Sequence, residues 1–401
     1  MKYDFDKVID RGPDSGTFSF KWQGYEGRFP GFDIDVPNAL SMWVADMDFE
    51  TIPEVKEAII QRAEHGIFGY TSEDSNDAFR DAAMRWFARR YGWTNCRREW
   101  MLFSPGVVPA INNAVQAFTD EGDGVIIQSP VYYPFEAAVA NTRRMVRNNQ
   151  LIERDGRYEM DYDQLEALAV DPAAKMIVLS SPHNPVGRVW SREELERAFE
   201  ICARNDVLVF CDEIHADLIM PGQSMFAAGI LEKHHDRLIL AHAASKSFNL
   251  AGLTTSLITV PNPELRGRLA KKMSENRLPQ GNVFGPIAGA AAYDNGDDYI
   301  DELVRYIHGN VCFAQEWLAE HLPKAKIVPL EGTYLVWIDF RGIGLPEEEL
   351  YHLVIEKAKV IGDLGRWFGP GGEGFMRFNF ACPRKRIEEF LVRLTAQLAD
   401  K

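Results

Sequence analysis

Residues 176–213 read MIVLSSPHNPVGRVWSREELERAFEICARNDVLVFCDE, and this stretch indicates the fold class. It begins and ends with a short apolar run of the kind that forms strands buried on both faces. Between the two runs, Ser191 and Glu194 form a capping box, and apolar residues three or four positions apart follow on one face of a predicted helix. A strand, a helix and a second strand at this spacing predict a parallel βαβ unit.

Other apolar runs extend this unit into a larger sheet. They are GVIIQSP (124–130), LILAHAA (238–244) and SLITV (256–260). Short buried strands that alternate with helices predict a mostly parallel sheet with helices on both faces. The last third of the chain differs, because GTYLVWIDF (332–340) and GEGFMRFNF (372–380) alternate apolar with polar residues, as half-buried strands do.

We therefore predict an α/β fold with two domains. A large domain at 51–285 would hold the mostly parallel sheet flanked by helices, and a smaller α/β domain would follow at 286–401 with a helical pattern at 346–360. Residues 1–50 form an amino-terminal segment that joins the small domain. A chain of 401 residues is long enough for two hydrophobic cores.

Composition limits the classes of partner. The formal charge is −15 and no basic stripe offsets it, so we expect neither nucleic acid nor an anionic membrane as partner. We find no apolar run of membrane-spanning length and no signal peptide in the charged start MKYDFDKVIDRGPDSG. Five scattered cysteines indicate reduced thiols in the cytoplasm, and no cluster has metal-ligand spacing, so we expect no metal.

The candidate functional residues follow the apolar runs directly. Ligands of parallel α/β sheets bind beyond the carboxyl ends of the strands. The residues there are Tyr132 and Tyr133 after the first run, Asn184 after the second, Asp212 and His215 after the third, and Ser245 and Lys246 after the fourth. Before the first run, SPGVVPAINNAVQAF (104–118) places a glycine turn at the start of a helix, whose exposed N–H groups suit a phosphate.

Each of these residues alone has an ordinary structural explanation. Asn184 suits a turn, Asp212 suits a helix cap, and an arginine such as Arg377 often forms a surface ion pair. Together they suit a flat, phosphorylated pyridine cofactor, because an amine forms a Schiff base with an aldehyde and a carboxylate keeps a ring nitrogen protonated. The set predicts that Lys246 binds pyridoxal 5′-phosphate.

The motifs also resemble a known family. SPHNPVG, CDEIH and SKSFNLAG, followed by the arginine in GFMRFNF, resemble the fold-type I aminotransferase superfamily. VADMDF (44–49), GYTSE (69–73), SPGVVPAI and FNFACPR are similar to the MalY/PatB-type cystathionine β-lyase branch, the C–S lyases. The similarity runs from the amino terminus to about Arg384 and implies a fold-type I pyridoxal-phosphate enzyme.

The resemblance implies a role for each residue of the site. Lys246 is the Schiff-base lysine and the base that takes the substrate α-proton, and Asp212 pairs with the pyridinium nitrogen. Tyr132 stacks on the ring and Asn184 donates to the phenolic oxygen. His215 stands where aminotransferases usually carry the tyrosine that contacts the same oxygen.

The remaining implied roles concern the phosphate and the substrate. The N–H groups of Val107 and Val108 and the hydroxyl of Ser245 hold the phosphate, and Tyr70 reaches it from the partner subunit of a homodimer. Arg377, with Asn184 beside it, binds the substrate carboxylate as a bidentate fork. Two residues depart from the family pattern: Thr254 stands in place of a phosphate-binding arginine, and Ala243 in place of a hydroxyl-bearing residue. We therefore expect the helix terminus and the partner's tyrosine to carry more of the phosphate binding.

The implied reaction is β-elimination from cystathionine, cysteine or a related S-substituted amino acid, yielding a thiol, pyruvate and ammonia. An aminotransferase is the alternative, because both reactions begin with loss of the same α-proton. A hypothesis of another class is a regulatory protein that binds a transcription factor, although the sequence shows no helix-turn-helix of its own.

Overall fold

The computed structural model describes residues 2–25 and 27–401. The helices are α1 (Phe20–Gln23), α2 (Pro53–Glu64), α3 (Asp77–Trp86), α4 (Val107–Phe118), α5 (Pro134–Ala140), α6 (Tyr162–Ala169), α7 (Arg192–Arg204), α8 (Ala244–Ser247), α9 (Pro263–Glu275), α10 (Gly285–Asn295), α11 (Asp297–His321), α12 (Glu347–His352) and α13 (Arg384–Leu398). The strands are β1 (Leu40–Ser41), β2 (Met101–Ser104), β3 (Gly124–Ile127), β4 (Met145–Asn148), β5 (Ile152–Arg154), β6 (Arg157–Glu159), β7 (Ala174–Ser180), β8 (Leu208–Asp212), β9 (Leu238–His242), β10 (Ser256–Thr259), β11 (Lys326–Ile327), β12 (Leu335–Asp339), β13 (Val360–Ile361), β14 (Asp363–Leu364) and β15 (Phe375–Asn379).

A seven-stranded sheet forms the centre of the molecule, in the order β2-β10-β9-β8-β7-β3-β4. The strands from β9 to β4 are parallel to one another, whereas β10 pairs antiparallel with both β9 and β2, so β10 runs opposite to the other six strands of this sheet. The predicted mostly parallel α/β sheet is therefore confirmed. Because Asp212 lies opposite Ser180 on one side and Ala241 on the other, the carboxyl ends of three strands meet at one edge.

The βαβ unit has the predicted start signal. The Ser191 hydroxyl accepts from the backbone N–H of Glu194 at 3.2 Å, and the Glu194 carboxylate accepts from the N–H of Ser191 at 2.8 Å. This capping box satisfies N–H groups that the first turn of α7 leaves free. The apolar face of α7 is buried, so the predicted connection between β7 and β8 is confirmed.

A four-stranded antiparallel sheet follows, in the order β11-β12-β15-β14. The prediction that its strands are half-buried is wrong for β15, which is buried throughout, and only Asp339 of β12 is partly exposed. The polar side chains of β15 do not face water, because they donate hydrogen bonds to backbone carbonyls of the amino-terminal segment. Arg377 donates to the carbonyl of Trp43, and Asn379 donates to the carbonyl of Val44. The helical pattern at 346–360 begins at Glu347 and ends after a π-helical turn at Lys357.

Two of the three hydrophobic cores formed by the described residues share one long helix. Tyr299, Leu303 and Ile307 of α11 pack in the core beneath the seven-stranded sheet, and Val311 and Leu318 pack in the core of the four-stranded sheet. Helix α10 packs against α2 and α3 of the first core. The domain boundaries at 50 and 285 stay predictions.

Among the helices of residues 2–25 and 27–401, none combines the length and the apolar character that crossing a membrane requires.

Candidate active site

A cavity of about 190 Å³ lies at the edge of the sheet where the parallel strands end. The predicted residues in its wall are Val107, Val108, Tyr132, Asn184, Asp212, His215, Ser245 and Lys246. Each is carried by a strand end, the loop after it or the start of a helix, so the topology of the sheet brings together residues that are far apart in the chain.

Lys246 lies in the single-turn helix α8, which follows β9 directly. Its Nζ donates a hydrogen bond to the carbonyl oxygen of Ala45 at 2.7 Å. Burial lowers the pKa of this amine to about 8, because the charged form loses its hydration. A substantial neutral fraction therefore exists near physiological pH, and a neutral amine can attack an aldehyde.

Asp212 is the last residue of β8 and is buried. One carboxylate oxygen, Oδ1, accepts from the backbone N–H of Ile214 at 3.0 Å. Burial raises the pKa of the carboxyl to about 7, while this hydrogen bond and the nearby Lys246 oppose the rise. A cationic nitrogen placed beside Asp212 would restore the carboxylate, because opposite charges favour ionisation.

Asn184 and His215 supply neutral polar groups. The Oδ1 of Asn184 accepts from Nη1 of Arg377 at 2.8 Å, so its amide nitrogen is the remaining donor. His215 is buried against Tyr334, and burial holds the pKa of its imidazole well below the ordinary value. Its Nδ1 has no hydrogen-bond partner within the described ranges, which leaves it available to a ligand.

The opposite end of the cavity suits a phosphate. Gly106 has φ +117°, a conformation that favours glycine, and the helix α4 begins directly after it. The N–H groups of its first turn have no intrahelical partners and point to where an anion can bind. The hydroxyl groups of Ser245 and Thr254 border the cavity. Thr255 and Ser256 border it too, and they were not predicted from the sequence although they follow the lysine motif closely.

These groups fit pyridoxal 5′-phosphate. The cavity offers an amine for the aldehyde, a carboxylate for the ring nitrogen, neutral donors for the ring oxygen, and hydroxyl and N–H groups for the phosphate. The buried Nδ1 of His215 without a partner is the kind of polar atom that a bound ligand satisfies.

Three of the candidate residues lie outside the cavity wall, namely Tyr133, Arg377 and Tyr70. Arg377 is buried in β15 behind Asn184, where Nη2 donates to the carbonyl of Trp43 and pairs with Asp363. Tyr70 is fully exposed on the segment between α2 and α3 and does not line the cavity of its own chain.

One residue of the wall that was not predicted is Ala45, which contributes its backbone carbonyl. The carbonyl of Ala45 accepts from Lys246 and from the Tyr334 hydroxyl, the latter at 2.9 Å. The side chain of Asn249 bonds to the N–H and the carbonyl of Met47. The motif VADMDF was visible in the sequence, but carbonyl oxygens are common to all residues and carry no sequence signal.

Comparisons with known proteins agree with this geometry. The profile of the family "Aminotransferase class I and II" matches residues 38–394. Cystathionine beta-lyase PatB of Bacillus subtilis is 41% identical over 98% of this chain and 100% of its own, and Protein MalY of Escherichia coli is 31% identical over 96% of each. Cystalysin from Treponema denticola, whose crystal structure contains pyridoxal 5′-phosphate, superimposes with a TM-score of 0.92 at 36% identity and covers 100% of both chains.

The similarity therefore covers the residues of both sheets and those that line the cavity at the edge of the seven-stranded sheet. The chain belongs to the class I and II aminotransferase family and, within it, groups with the MalY/PatB-type proteins.

Proposed function

We propose that this protein is a pyridoxal-phosphate-dependent carbon–sulfur lyase. It eliminates a thiol (hydrogen sulfide in the case of cysteine) from cystathionine, cysteine or a related S-substituted amino acid, and one water molecule hydrolyses the remaining aminoacrylate to pyruvate and ammonia. The observation that carries the proposal is the buried amine of Lys246, with a pKa of about 8, in one cavity with Asp212 and Asn184. The similarity to PatB, a named cystathionine beta-lyase, supports the choice of reaction.

Each end of the cofactor has a binding group in this proposal. Lys246 holds the aldehyde, Asp212 the ring nitrogen, and Asn184 with His215 the phenolic oxygen. Tyr132 covers one face of the ring. Val107, Val108 and Ser245 hold the phosphate. When bound, the cofactor supplies an electron sink for the charge left behind when the α-proton departs.

Lys246 then moves the proton. As a free amine, its Nζ is neutral in a large fraction of molecules near pH 8 and can accept a proton from carbon. The carbonyl of Ala45 fixes the position of that nitrogen through a 2.7 Å hydrogen bond. The substrate carboxylate binds Arg377 beside Asn184, which fixes the α-carbon relative to the amine.

We also propose a homodimer with shared sites. Ile67 and Phe68 are 65% and 56% exposed, and Tyr70 next to them is fully exposed, so one surface segment presents three large apolar or aromatic side chains to solvent. Patches of this kind mark protein interfaces. In the dimer, Tyr70 reaches the phosphate of the partner subunit. The five free thiols support a cytoplasmic location.

The test is formation of pyruvate from cystathionine with no 2-oxo acid added. We expect turnover by the wild type, loss of at least about a thousandfold in Lys246→Ala because both cofactor attachment and proton transfer are removed, and wild-type rates in the exposed control Lys233→Ala. Borohydride reduction should add the cofactor mass to Lys246. Strict dependence on a 2-oxo acid would instead identify an aminotransferase.

A further inference from the structure

Asp363 and Arg377 face each other across two paired strands. β14 and β15 are antiparallel, and their register places Asp363 directly opposite Arg377. Both side chains are buried, and Nη2 of the arginine forms an ion pair with Oδ2 of the aspartate. Opposite charges on facing strand positions attract, so the pairing of the sheet itself sets this contact.

Three of the five N–H groups of the Arg377 guanidinium donate hydrogen bonds, and Nε has no partner in the ranges 2–25 and 27–401. Nη2 donates to Asp363 and also to the carbonyl of Trp43 at 3.1 Å, while Nη1 donates to Asn184 at 2.8 Å. A carboxylate binds arginine in the bidentate mode across two adjacent nitrogens. Because Cδ blocks the edge between Nε and Nη1, each usable edge of the guanidinium includes Nη2.

Asp363 therefore holds a position that a second carboxylate needs. Both N–H groups of Nη2 are engaged, so an incoming carboxylate gains a bidentate contact only if Nη2 releases Asp363 or the carbonyl of Trp43. Oδ1 of Asp363 has no hydrogen-bond partner in the ranges 2–25 and 27–401. Burial raises the pKa of this carboxyl to about 6, and Arg377 is the charge that opposes the rise.

We propose that Asp363 competes with the α-carboxylate of the amino-acid substrate for Nη2 of Arg377 and thereby sets the affinity of the site for that carboxylate. This inference rests on the proposed function, in which Arg377 binds the substrate carboxylate. Asp363 acts through the arginine and is a positioning residue. It neutralises a buried guanidinium in the absence of substrate, and it weakens substrate binding in return.

The first test is Asp363→Asn in the cofactor-loaded enzyme, with propionate as a competitive inhibitor that carries the carboxylate but no amine. We expect its inhibition constant and the substrate KM to fall by about tenfold, since one hydrogen bond to a charged group has effects of this size. Asp339→Asn is the matched control, because Asp339 lies in the same sheet and pairs with Arg341 at 2.7 Å. Unchanged or weaker propionate binding in Asp363→Asn would overturn the proposal.

Two further measurements separate the possible failures. Arg377→Ala should lose inhibition by propionate. If it binds propionate as the wild type does, the carboxylate role of Arg377 fails, whereas the assignment of Lys246 is untouched. If Asp363→Asn does not fold, a crystal structure of the wild type with propionate decides. We expect Nη2 to contact propionate in place of Asp363, and an intact Asp363 contact with propionate bound elsewhere contradicts the competition.

Discussion

Burial moves the pKa values of Lys246 and Asp212 toward neutrality from opposite sides. The lysine falls to about 8 and the aspartic acid rises to about 7. Each shift has the same cause, which is the loss of water around the charged form. The cofactor would relieve both groups, because an aldehyde removes the amine charge and a protonated ring nitrogen pairs with the carboxylate. In the cofactor-free chain, the burial of these two groups therefore lowers the free energy of unfolding, and bound cofactor would remove this loss.

The two shifted pKa values predict that the free energy of unfolding of the cofactor-free protein depends on pH. As the pH rises from about 4 to 7, folded Asp212 keeps a proton that the unfolded chain has lost, so its contribution to the free energy of unfolding falls with pH. Between about 8 and 10.5 the unfolded chain keeps a proton that folded Lys246 has lost, so stability rises with pH. These two groups together destabilise the fold most between about pH 7 and 8.

Asp212→Asn should therefore stabilise the cofactor-free protein at pH 7.5 by about 2–4 kcal/mol and change little at pH 4, as a shift of this size implies. Urea unfolding at the two pH values measures the difference. Asp206→Asn is the control, because Asp206 is exposed and has a positive φ that asparagine tolerates. An equal effect of Asp212→Asn at both pH values would contradict the linkage.

The sequence predicted these residues for a reason that does not extend to Asp363. Lys246 and Asp212 each follow a continuous apolar run, and the rule that ligands bind beyond parallel strands applies to them directly. Asp363 lies in a strand of two residues, too short to give a periodic signal. Its importance comes from its pairing with Arg377, and strand register depends on tertiary contacts that no local pattern contains.

At the scale of elements, helix α7 is joined to the site through one arginine. Glu194 completes the capping box and also accepts from the buried Arg188 at 2.9 Å. Arg188 directly follows the HNPVG loop that carries Asn184, and its Nε donates to Glu331 at 2.7 Å. Glu194 in the first turn of α7 therefore anchors this loop through Arg188 and also satisfies a backbone N–H group at the start of the helix.

Two substitutions in α7 separate these contributions. Ser191→Ala removes only the exposed cap and should lower the free energy of unfolding by about 1 kcal/mol. Glu194→Ala also removes a partner of a buried guanidinium and should cost clearly more, about 2–4 kcal/mol. Glu200→Ala, which breaks a surface pair with Lys233, should stay within about 1 kcal/mol of the wild type. Equal losses for Ser191→Ala and Glu194→Ala in urea unfolding would show that Arg188 does not couple to the cap.

The strands that were predicted correctly are those with the same apolar environment on both faces. The buried runs of the parallel sheet were identified because both faces pack against helices. The alternation in β15 was misread as a solvent-facing side, because a polar residue that faces water and one that faces the backbone of residues 43–49 give the same period of two. Asn379 shows the difference, since its amide donates to the carbonyls of Val44 and Asp46.

At the scale of the whole molecule, the segment that carries Tyr70 is exposed in the single chain. Residues 64–71 are exposed or nearly so, and the ring of Phe68 contacts Phe284, with 5.8 Å between the ring centroids. An apolar surface of this kind is stable in water when a second subunit covers it. The proposed dimer would cover it and would complete the phosphate site at the same time.

Phe68→Asp should shift the protein from a dimer toward the 45.5 kDa monomer in sedimentation velocity and weaken cofactor retention, because a buried unpaired charge disfavours the interface. Val170→Asp is the control, since Val170 is 63% exposed at the end of α6. A dimer in wild type and Phe68→Asp alike would place the interface elsewhere, and a monomeric wild type would rule out the homodimer.

Helix α11 has a mechanical consequence, because its two halves belong to different cores. Any rotation of the four-stranded sheet relative to the seven-stranded sheet must bend or twist this continuous helix. Gly309 lies where the two halves meet, and a glycine weakens a helix by about 1 kcal/mol relative to alanine. Beside it, Asn310 donates a hydrogen bond to the carbonyl of Cys382 and fixes the carboxyl-terminal half of the helix. Helix α11 is therefore weakest where its two halves meet, and Gly309→Ala should stiffen the helix at this point.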